Sequence, residues 1–91
     1  MRPRLRLYVA AGSPRSRAAR RALEDALGAC RLEALVEVVD VFAAPEKAME
    51  DRILVTPTLL TVEGPRRALI GDLSDRGALD ALLRAVMQED A

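Results

Sequence analysis

A proline stands inside an apolar run in the second half of the chain, and it limits how that run can fold. Pro57 lies between two threonines in the stretch from Ile53 to Val62. Because proline cannot donate a ladder hydrogen bond, a strand that contains it must place it at an edge, at its start or in a special peptide geometry. A cis X-Pro bond is one such geometry, since it costs only about 0.5–1 kcal/mol relative to trans. We therefore expect a strand to begin at this proline.

The residues after Pro57 predict a β-hairpin followed by a long helix. The hairpin comprises a strand from Thr58 to Val62, a turn at Glu63-Gly64-Pro65 and a returning strand from Arg66 to Ile70. The segment from Ala78 to Asp90 contains no glycine or proline and is rich in helix formers. Its apolar residues recur with helical spacing and predict a buried stripe of Leu79, Leu82, Leu83, Val86 and Met87.

The first part of the chain predicts a strand and a helix. Leu5 to Ala10 alternates apolar and polar residues, which is typical of a half-buried strand. Ser13 is a suitable N-cap and Pro14 fits the first helical position, so we expect a helix to begin there. The predicted buried stripe of this helix is Ala19, Leu23, Ala26, Leu27 and Cys30.

A second strand and a short helix follow. The segment from Ala34 to Phe42 has apolar residues on both faces, which is typical of an interior strand covered on each side. Its spacing from the first strand implies a right-handed crossover and parallel pairing. Pro45 begins a short helix that extends to about Arg52. The predicted inner contacts are Ala48, Met49 and Ile53, and the predicted outer face carries Glu46, Lys47, Glu50, Asp51 and Arg52.

Composition argues against several classes of function. With 91 residues, the chain is predicted to form one domain over residues 1–91. Its 14 basic and 14 acidic residues cancel and aromatic residues are scarce, so we expect neither a nucleic-acid nor a membrane partner. One cysteine and no histidine argue against a disulfide, a zinc cluster and Cys–His or Ser–His catalysis within one chain. No secretory or membrane-spanning segment is evident, so a cytoplasmic location is expected.

The predicted order βαβαββα, with Thr-Pro before the third strand, resembles the thioredoxin-like fold. This resemblance implies an α/β architecture with a four-stranded mixed sheet flanked by helices and a cis proline at Pro57. Redox-active members carry Cys-x-x-Cys at the start of the first helix, where this chain has Gly12-Ser13-Pro14-Arg15-Ser16. Cys30 lies at the far end of that helix and is predicted to be a small buried hydrophobe. A glutathione- or anion-binding remnant at Ser13 remains an alternative.

Several further motifs together span almost the entire chain, and the most specific is Ile70 to Arg76, which follows Arg66-Arg67. The others are Leu7-Tyr8-Val9-Ala10 followed by a Gly-Ser-Pro helix start, Val39-Asp40-Val41 before a proline-led helix, and the segment from Asp51 to Leu59. Together these motifs resemble the KaiB family of circadian-clock proteins.

The resemblance implies a non-enzymatic interaction protein that needs no cofactor. KaiB proteins bind the N-terminal ATPase ring of a KaiC-type protein, regulate its phosphorylation and ATPase cycle, and there capture KaiA or displace a KaiB-like-domain sensor kinase. The binding residues implied by position are Lys47, Ala48, Glu50, Asp51 and Arg52, with an ordinary solvated helix face as the alternative. Glu37 and its neighbours on the second strand are implied to face a KaiA-like third partner.

The family also implies a choice between two folds. Members hold either a tetrameric ground-state fold, βαββααβ, or the thioredoxin-like fold, which alone binds the ring. Here only Gly64-Pro65 replaces the longer proline-rich linker of clock members, and Leu79 to Met87 would lose its apolar stripe as a strand. We therefore expect the thioredoxin-like state, monomeric or weakly associated, with a tetramer only in the ground-state fold. The alternatives are a KaiB-like sensor domain cut from a histidine kinase and a degenerate thioredoxin or glutathione-binding protein.

Overall fold

The computed structural model describes residues 2–90 and has the predicted element order βαβαββα. The elements are β1 (Arg4–Val9), α1 (Pro14–Ala29), β2 (Leu35–Asp40), α2 (Pro45–Glu50), β3 (Thr58–Thr61), β4 (Ala68–Ile70) and α3 (Arg76–Asp90). The hairpin strands are shorter than predicted, and α3 begins two residues before the predicted start. The predicted domain bounds, residues 1 and 91, lie outside the described residues.

The four strands form one mixed sheet in the order β2-β1-β3-β4. β1 lies in the centre, where it pairs in parallel with β2 and antiparallel with β3, and β4 pairs antiparallel with β3. The predicted parallel pairing of the first two strands is confirmed. At the start of β3 the Thr56–Pro57 peptide is cis and Pro57 is buried, and its carbonyl oxygen accepts a hydrogen bond of 2.9 Å from the N–H of Gly71.

The prediction of β2 as an interior strand is wrong, because β2 lies at an edge of the sheet. Val39 is buried, but Leu35, Val36 and Val38 are exposed. Apolar residues on both faces of a strand indicate contacts above and below it but do not specify its lateral neighbours. β1 takes the central position because it pairs with both β2 and β3.

The larger core lies between the sheet and the two long helices. Leu5 and Leu7 of β1 and Leu59 of β3 pack there against α1 and α3. The helical residues of this core are Ala19, Leu23, Ala26, Leu79, Leu82, Leu83 and Val86. Both predicted stripes are therefore confirmed except at their C-terminal ends, where Met87 and Cys30 are exposed.

Cys30 leaves the buried stripe because α1 ends before it. It is the C-cap residue, and the following Arg31 has a left-handed φ of 53°, which turns the chain away from the helix axis. Its Sγ lies 3.7 Å from the carbonyl oxygen of Leu27. The prediction of a buried Cys30 is wrong.

A smaller core lies on the opposite face of the sheet, under α2. Tyr8, Val39 and Leu60 are buried there with Ala48 of the helix, and Ile53 packs beside them. The inward positions predicted for Ala48 and Ile53 are confirmed. Met49 is exposed, because it points about 100° around the helix from Ala48, which faces the sheet. One face of the sheet thus carries two helices of 16 and 15 residues, and the other carries one helix of six residues.

Candidate partner-binding site

Helix α2 has few of the features that usually hold a helix in place. Pro45 occupies the first turn, but the N-cap residue Ala44 makes no side-chain capping bond. Ala48 is the one buried residue among the six in this helix, and burying a methyl group contributes only about 0.8 kcal/mol. The helix ends at its C-cap, Asp51, and Arg52 then adopts a left-handed φ of 57°. Polar contacts therefore carry much of the attachment of α2 to the sheet.

Arg6 of β1 lies at the centre of those polar contacts, and its side chain is only 15% exposed. Its Nε donates to Oε1 of Glu37 on β2 and its Nη1 donates to Oδ2 of Asp51, both at 2.8 Å. The second oxygen of Glu37 accepts a 2.6 Å hydrogen bond from Nζ of Lys47. Lys47 and Asp51 lie four residues apart, so both charged groups reach the same pair of strands.

Tyr8 and Arg66 complete this set of contacts. The Tyr8 hydroxyl lies 2.5 Å from Oδ2 of Asp51 and 3.0 Å from the carbonyl oxygen of Lys47. Nη2 of Arg66, from the β3–β4 hairpin, donates to the carbonyl oxygen of Asp51 at 2.6 Å. We call the six residues the α2 network: Arg6, Tyr8, Glu37, Lys47, Asp51 and Arg66.

The α2 network is charged at neutral pH. The hydrogen bond from Tyr8, followed by that from Arg6, lowers the pKa of Asp51 below its usual value. Hydrogen bonds from Lys47 and Arg6 lower the pKa of Glu37, and the hydrogen bond to Glu37 contributes most to raising the pKa of Arg6. Burial, together with the hydrogen bond to Asp51, raises the pKa of Tyr8 to about 12. The two carboxylates face the cations of Arg6 and Lys47, and Arg66 adds a third cation beside Asp51.

The five residues predicted to bind a partner fall into two groups. Lys47 and Asp51 point toward the sheet, where they belong to the α2 network, and Ala48 is buried. Glu50 and Arg52 are exposed. The structure thus brings all five together in α2 and the two residues that follow it, but leaves only the last two side chains fully accessible.

Sequence reasoning missed three exposed apolar residues beside the two accessible charges. Met49 is 77% exposed, Leu54 94% and Val55 49%. Helical spacing placed Met49 inside, and the strand-like composition of residues 53–55 concealed the exposure of Leu54 and Val55. A helix predicted to be only two turns long was the one available signal, since so short an element can bury few side chains. We call the five accessible residues the α2–loop surface: Met49, Glu50, Arg52, Leu54 and Val55.

The edge of β2 is a second surface, where some backbone N–H and C=O groups point away from the sheet. Leu35 and Val41 donate their N–H groups to the carbonyl oxygens of Pro3 and Val9, both at 2.9 Å. In a parallel pair the alternate residues, here Val36 and Val38, turn their backbone groups away from the neighbouring strand. The side chain of Glu37, which lies between them, belongs to the α2 network.

Chemical groups for catalysis or metal binding are scarce. Across residues 2–90, no cluster of three or more His, Cys, Asp or Glu side chains could hold a metal ion. The Ser13 hydroxyl accepts a capping hydrogen bond of 3.4 Å from the N–H of Ser16, so it serves the start of α1. Among the same residues, no helix combines the length and the apolar character needed to span a membrane.

Comparisons with a family model and with known proteins indicate the same family. The family model described as the KaiB domain matches residues 6–85. The chain is 42% identical over 91 residues to the circadian clock oscillator protein KaiB of Prochlorococcus marinus (strain MIT 9303), covering 93% of this chain and 76% of that protein. It is 40% identical over 93 aligned positions to the protein of the same name from Nostoc sp. (strain PCC 7120), covering 94% and 85%.

Solved structures confirm the thioredoxin-like fold class. The solution structure of the N-terminal domain of SasA from Synechococcus elongatus superposes with a TM-score of 0.80 at 26% identity, covering 98% of this chain and 86% of that one. Thioredoxin from Trypanosoma brucei brucei superposes with a TM-score of 0.77 at 19% identity, covering 96% and 76%. The second likeness concerns the fold alone.

Proposed function

The chain belongs to the KaiB family of clock proteins, and on that premise we propose that it binds the N-terminal ATPase ring of a KaiC-type protein. In this proposal the chain is a non-enzymatic regulator of the phosphorylation and ATPase cycle of the ring, acts in the cytoplasm and uses no cofactor. The α2–loop surface makes the contact.

The observation that supports this contact is the exposure of Met49, Leu54 and Val55 next to the charged groups of Glu50 and Arg52. Each apolar side chain that is withdrawn from water contributes about 1.5–3 kcal/mol. Charged groups at the rim contribute orientation and association rate more than affinity. An apolar centre with a charged rim is the usual composition of a protein–protein interface.

Binding to a purified hexameric KaiC-type ATPase tests the proposal. We expect Leu54→Glu and Arg52→Glu each to weaken binding at least about tenfold, because they place an unpaired charge in the contact. Arg21→Glu, on the exposed face of α1, is the matched control and should bind as the unchanged chain does. Lys47→Glu should also weaken binding, but it breaks the ion pair with Glu37 as well and identifies the surface less directly.

Two results would contradict the proposal at different levels. If the unchanged chain does not bind the ring in any nucleotide state, the proposed function is wrong. If the ring binds the chain and both Leu54→Glu and Arg52→Glu leave that binding intact, the function stands and the α2–loop surface is not the site.

A KaiA-type protein fits the proposal as a third partner at the edge of β2, where Val36 and Val38 leave backbone groups open for an added strand. A KaiB-like-domain sensor kinase fits it as a competitor for the same ring. In a competition assay, the kinase domain should displace this chain from the ring, whereas the KaiA-type protein should bind together with it.

The likeness to the N-terminal domain of SasA favours a second candidate, in which the chain is the sensor domain of a larger histidine kinase. The sequence of the full transcript decides between the two candidates. A reading frame that continues into a kinase domain would establish the second one.

We further propose that the chain is a monomer or only weakly associated in its thioredoxin-like state. Light scattering after size exclusion should then give a mass near 9.9 kDa. A stable species of four times that mass would contradict the proposed state.

A further inference from the structure

Helix α2 is attached to the sheet mainly through charged groups, and we propose that Arg6 is the positioning residue that orients the α2–loop surface for its partner. This inference rests on the proposed function, since it assigns a role in that same site. Arg6 does not belong to the α2–loop surface and acts through Glu37 and Asp51.

The position of Arg6 lets one side chain join three elements. It stands on the central strand β1, and its guanidinium donates in one direction to Glu37 of β2 and in the other to the C-cap of α2. Asp51 immediately precedes Arg52, whose left-handed backbone directs the chain toward Leu54 and Val55. A shift of Asp51 would therefore move the point from which the apolar contact residues leave the helix.

No other contact of α2 duplicates this one within the described residues. Ala48 supplies one buried methyl group, and the N-cap supplies no side-chain bond. Lys47 holds Glu37 but not Asp51, Tyr8 holds Asp51 but not Glu37, and Arg66 holds the backbone carbonyl of Asp51 rather than its carboxylate. Among the described residues, the guanidinium of Arg6 alone contacts both carboxylates.

Loss of Arg6 should disturb α2 rather than the whole fold, because the two carboxylates that Arg6 holds lie on β2 and at the C-cap of α2. Without that guanidinium, Glu37 and Asp51 are two anions on facing elements. The ammonium group of Lys47 stays on the first, and Arg66 stays near the second through its bond to the carbonyl oxygen of Asp51, but no cation joins the two carboxylates. Repulsion between like charges then favours movement of α2 away from β2. A lysine at position 6 would keep the charge but can hold only one of the two carboxylates closely, because it lacks the planar fork of donors.

Three variants of the full chain test the role. Arg6→Met removes the guanidinium, Arg6→Lys retains the charge, and Arg4→Met is the matched control. Arg4 lies two residues earlier on the same face of β1, where it forms an exposed ion pair of 3.3 Å with Glu63. For each variant we would measure affinity for the KaiC-type ring and the amide hydrogen exchange of the whole chain.

We expect Arg6→Met to weaken ring binding about tenfold or more, Arg6→Lys about threefold, and Arg4→Met not at all. In Arg6→Met, the amides of Asp51, Arg52 and Ile53 should exchange at least about tenfold faster, while those of the central strand keep their protection. This local pattern distinguishes positioning from a general loss of stability, which would accelerate exchange throughout. Arg6→Lys, which keeps the charge, supplies the result if Arg6→Met does not fold.

The proposal is overturned if Arg6→Met and Arg6→Lys bind the ring as the unchanged chain does, or if exchange accelerates uniformly rather than in α2. If the unchanged chain does not bind the ring, the proposed function fails by itself. The exchange measurement then still decides whether Arg6 orients α2.

Discussion

The hydroxyl group of Tyr8 lies 2.5 Å from Oδ2 of Asp51, and this contact joins the central strand to the C-cap of the short helix. The two residues are 43 positions apart in the chain. Tyr8 is completely buried, so its hydroxyl needs a partner that the sheet itself does not supply. Asp51 and the carbonyl oxygen of Lys47 are the partners, and these contacts tie the smaller core to the α2 network.

Alkaline titration should show this contact directly, because Tyr8 is the only tyrosine and the chain has no tryptophan. Its pKa is raised to about 12 in the folded state. The unfolded chain ionises near pH 10, so the stabilisation is complete below that pH and is lost as pH rises through the folded value. Ultraviolet absorbance of the phenolate should therefore rise together with unfolding. Free ionisation of the folded protein near pH 10 would contradict the contact.

Acid should weaken the same contact by protonating the carboxylate of Asp51. The lowered pKa of Asp51 stabilises the folded state above the unfolded value of about 3.9, and this contribution is lost as pH falls through the lower folded value. We expect Asp51→Asn to lower the free energy of unfolding by about 1–3 kcal/mol at pH 7. The difference should shrink below about pH 4 when urea midpoints are compared.

The control for this acid series is Asp25→Asn, which changes an exposed carboxylate on α1. Its urea midpoint should follow that of the unchanged chain at every pH. A loss of stability in Asp51→Asn that stays constant down to pH 2 would indicate lost packing rather than lost charge.

Two truncations in α3 should show that a residue in its buried stripe contributes far more to stability than the residue at the exposed end of that stripe. Leu79 is completely buried, so Leu79→Ala should lower the free energy of unfolding by about 2–5 kcal/mol. Met87 is exposed, so Met87→Ala should cost less than about 1 kcal/mol. Chemical denaturation of both variants measures the contrast, and equal effects would show that α3 packs differently.

The thiol of Cys30 should react in the folded protein, since the residue is exposed beyond the end of α1. A coloured aromatic disulfide reagent should label one thiol per chain, at a rate within about threefold of that in urea. Cys30→Ser, which has no thiol, gives the baseline. Protection by more than a hundredfold in the native state would place Cys30 in the core, as its apolar neighbours predicted.

Local patterns in the sequence predicted the elements and most of the larger core. The stripe from Leu79 to Val86 repeats over about two turns of a helix, so tertiary packing had one obvious face to use. The prediction for Cys30 was wrong because it depends on where α1 ends, and the prediction for Met49 was wrong because it depends on how α2 is rotated against the sheet. The prediction for β2 was wrong because lateral order in a sheet is set by pairing between distant segments.

The α2 network could be anticipated only in part. Arg6 occupies a central strand of a sheet covered on both faces, and a cation in that position requires an acidic partner. Nothing local to Arg6 indicates that Glu37 and Asp51, 31 and 45 positions away, supply the two carboxylates. The sequence did not reveal the exposed α2–loop surface beside these carboxylates either, because the composition of residues 53–55 resembles that of a buried strand.

The unequal covering of the two faces of the sheet separates the residues that stabilise the fold from those of the proposed contact surface. The leucine-rich layer beneath α1 and α3 includes none of the residues of the α2–loop surface. Substitutions of Met49, Leu54 or Val55 therefore need no compensating change in that layer. Under the proposed function, this small domain can exchange its partners in evolution or by design while retaining its scaffold.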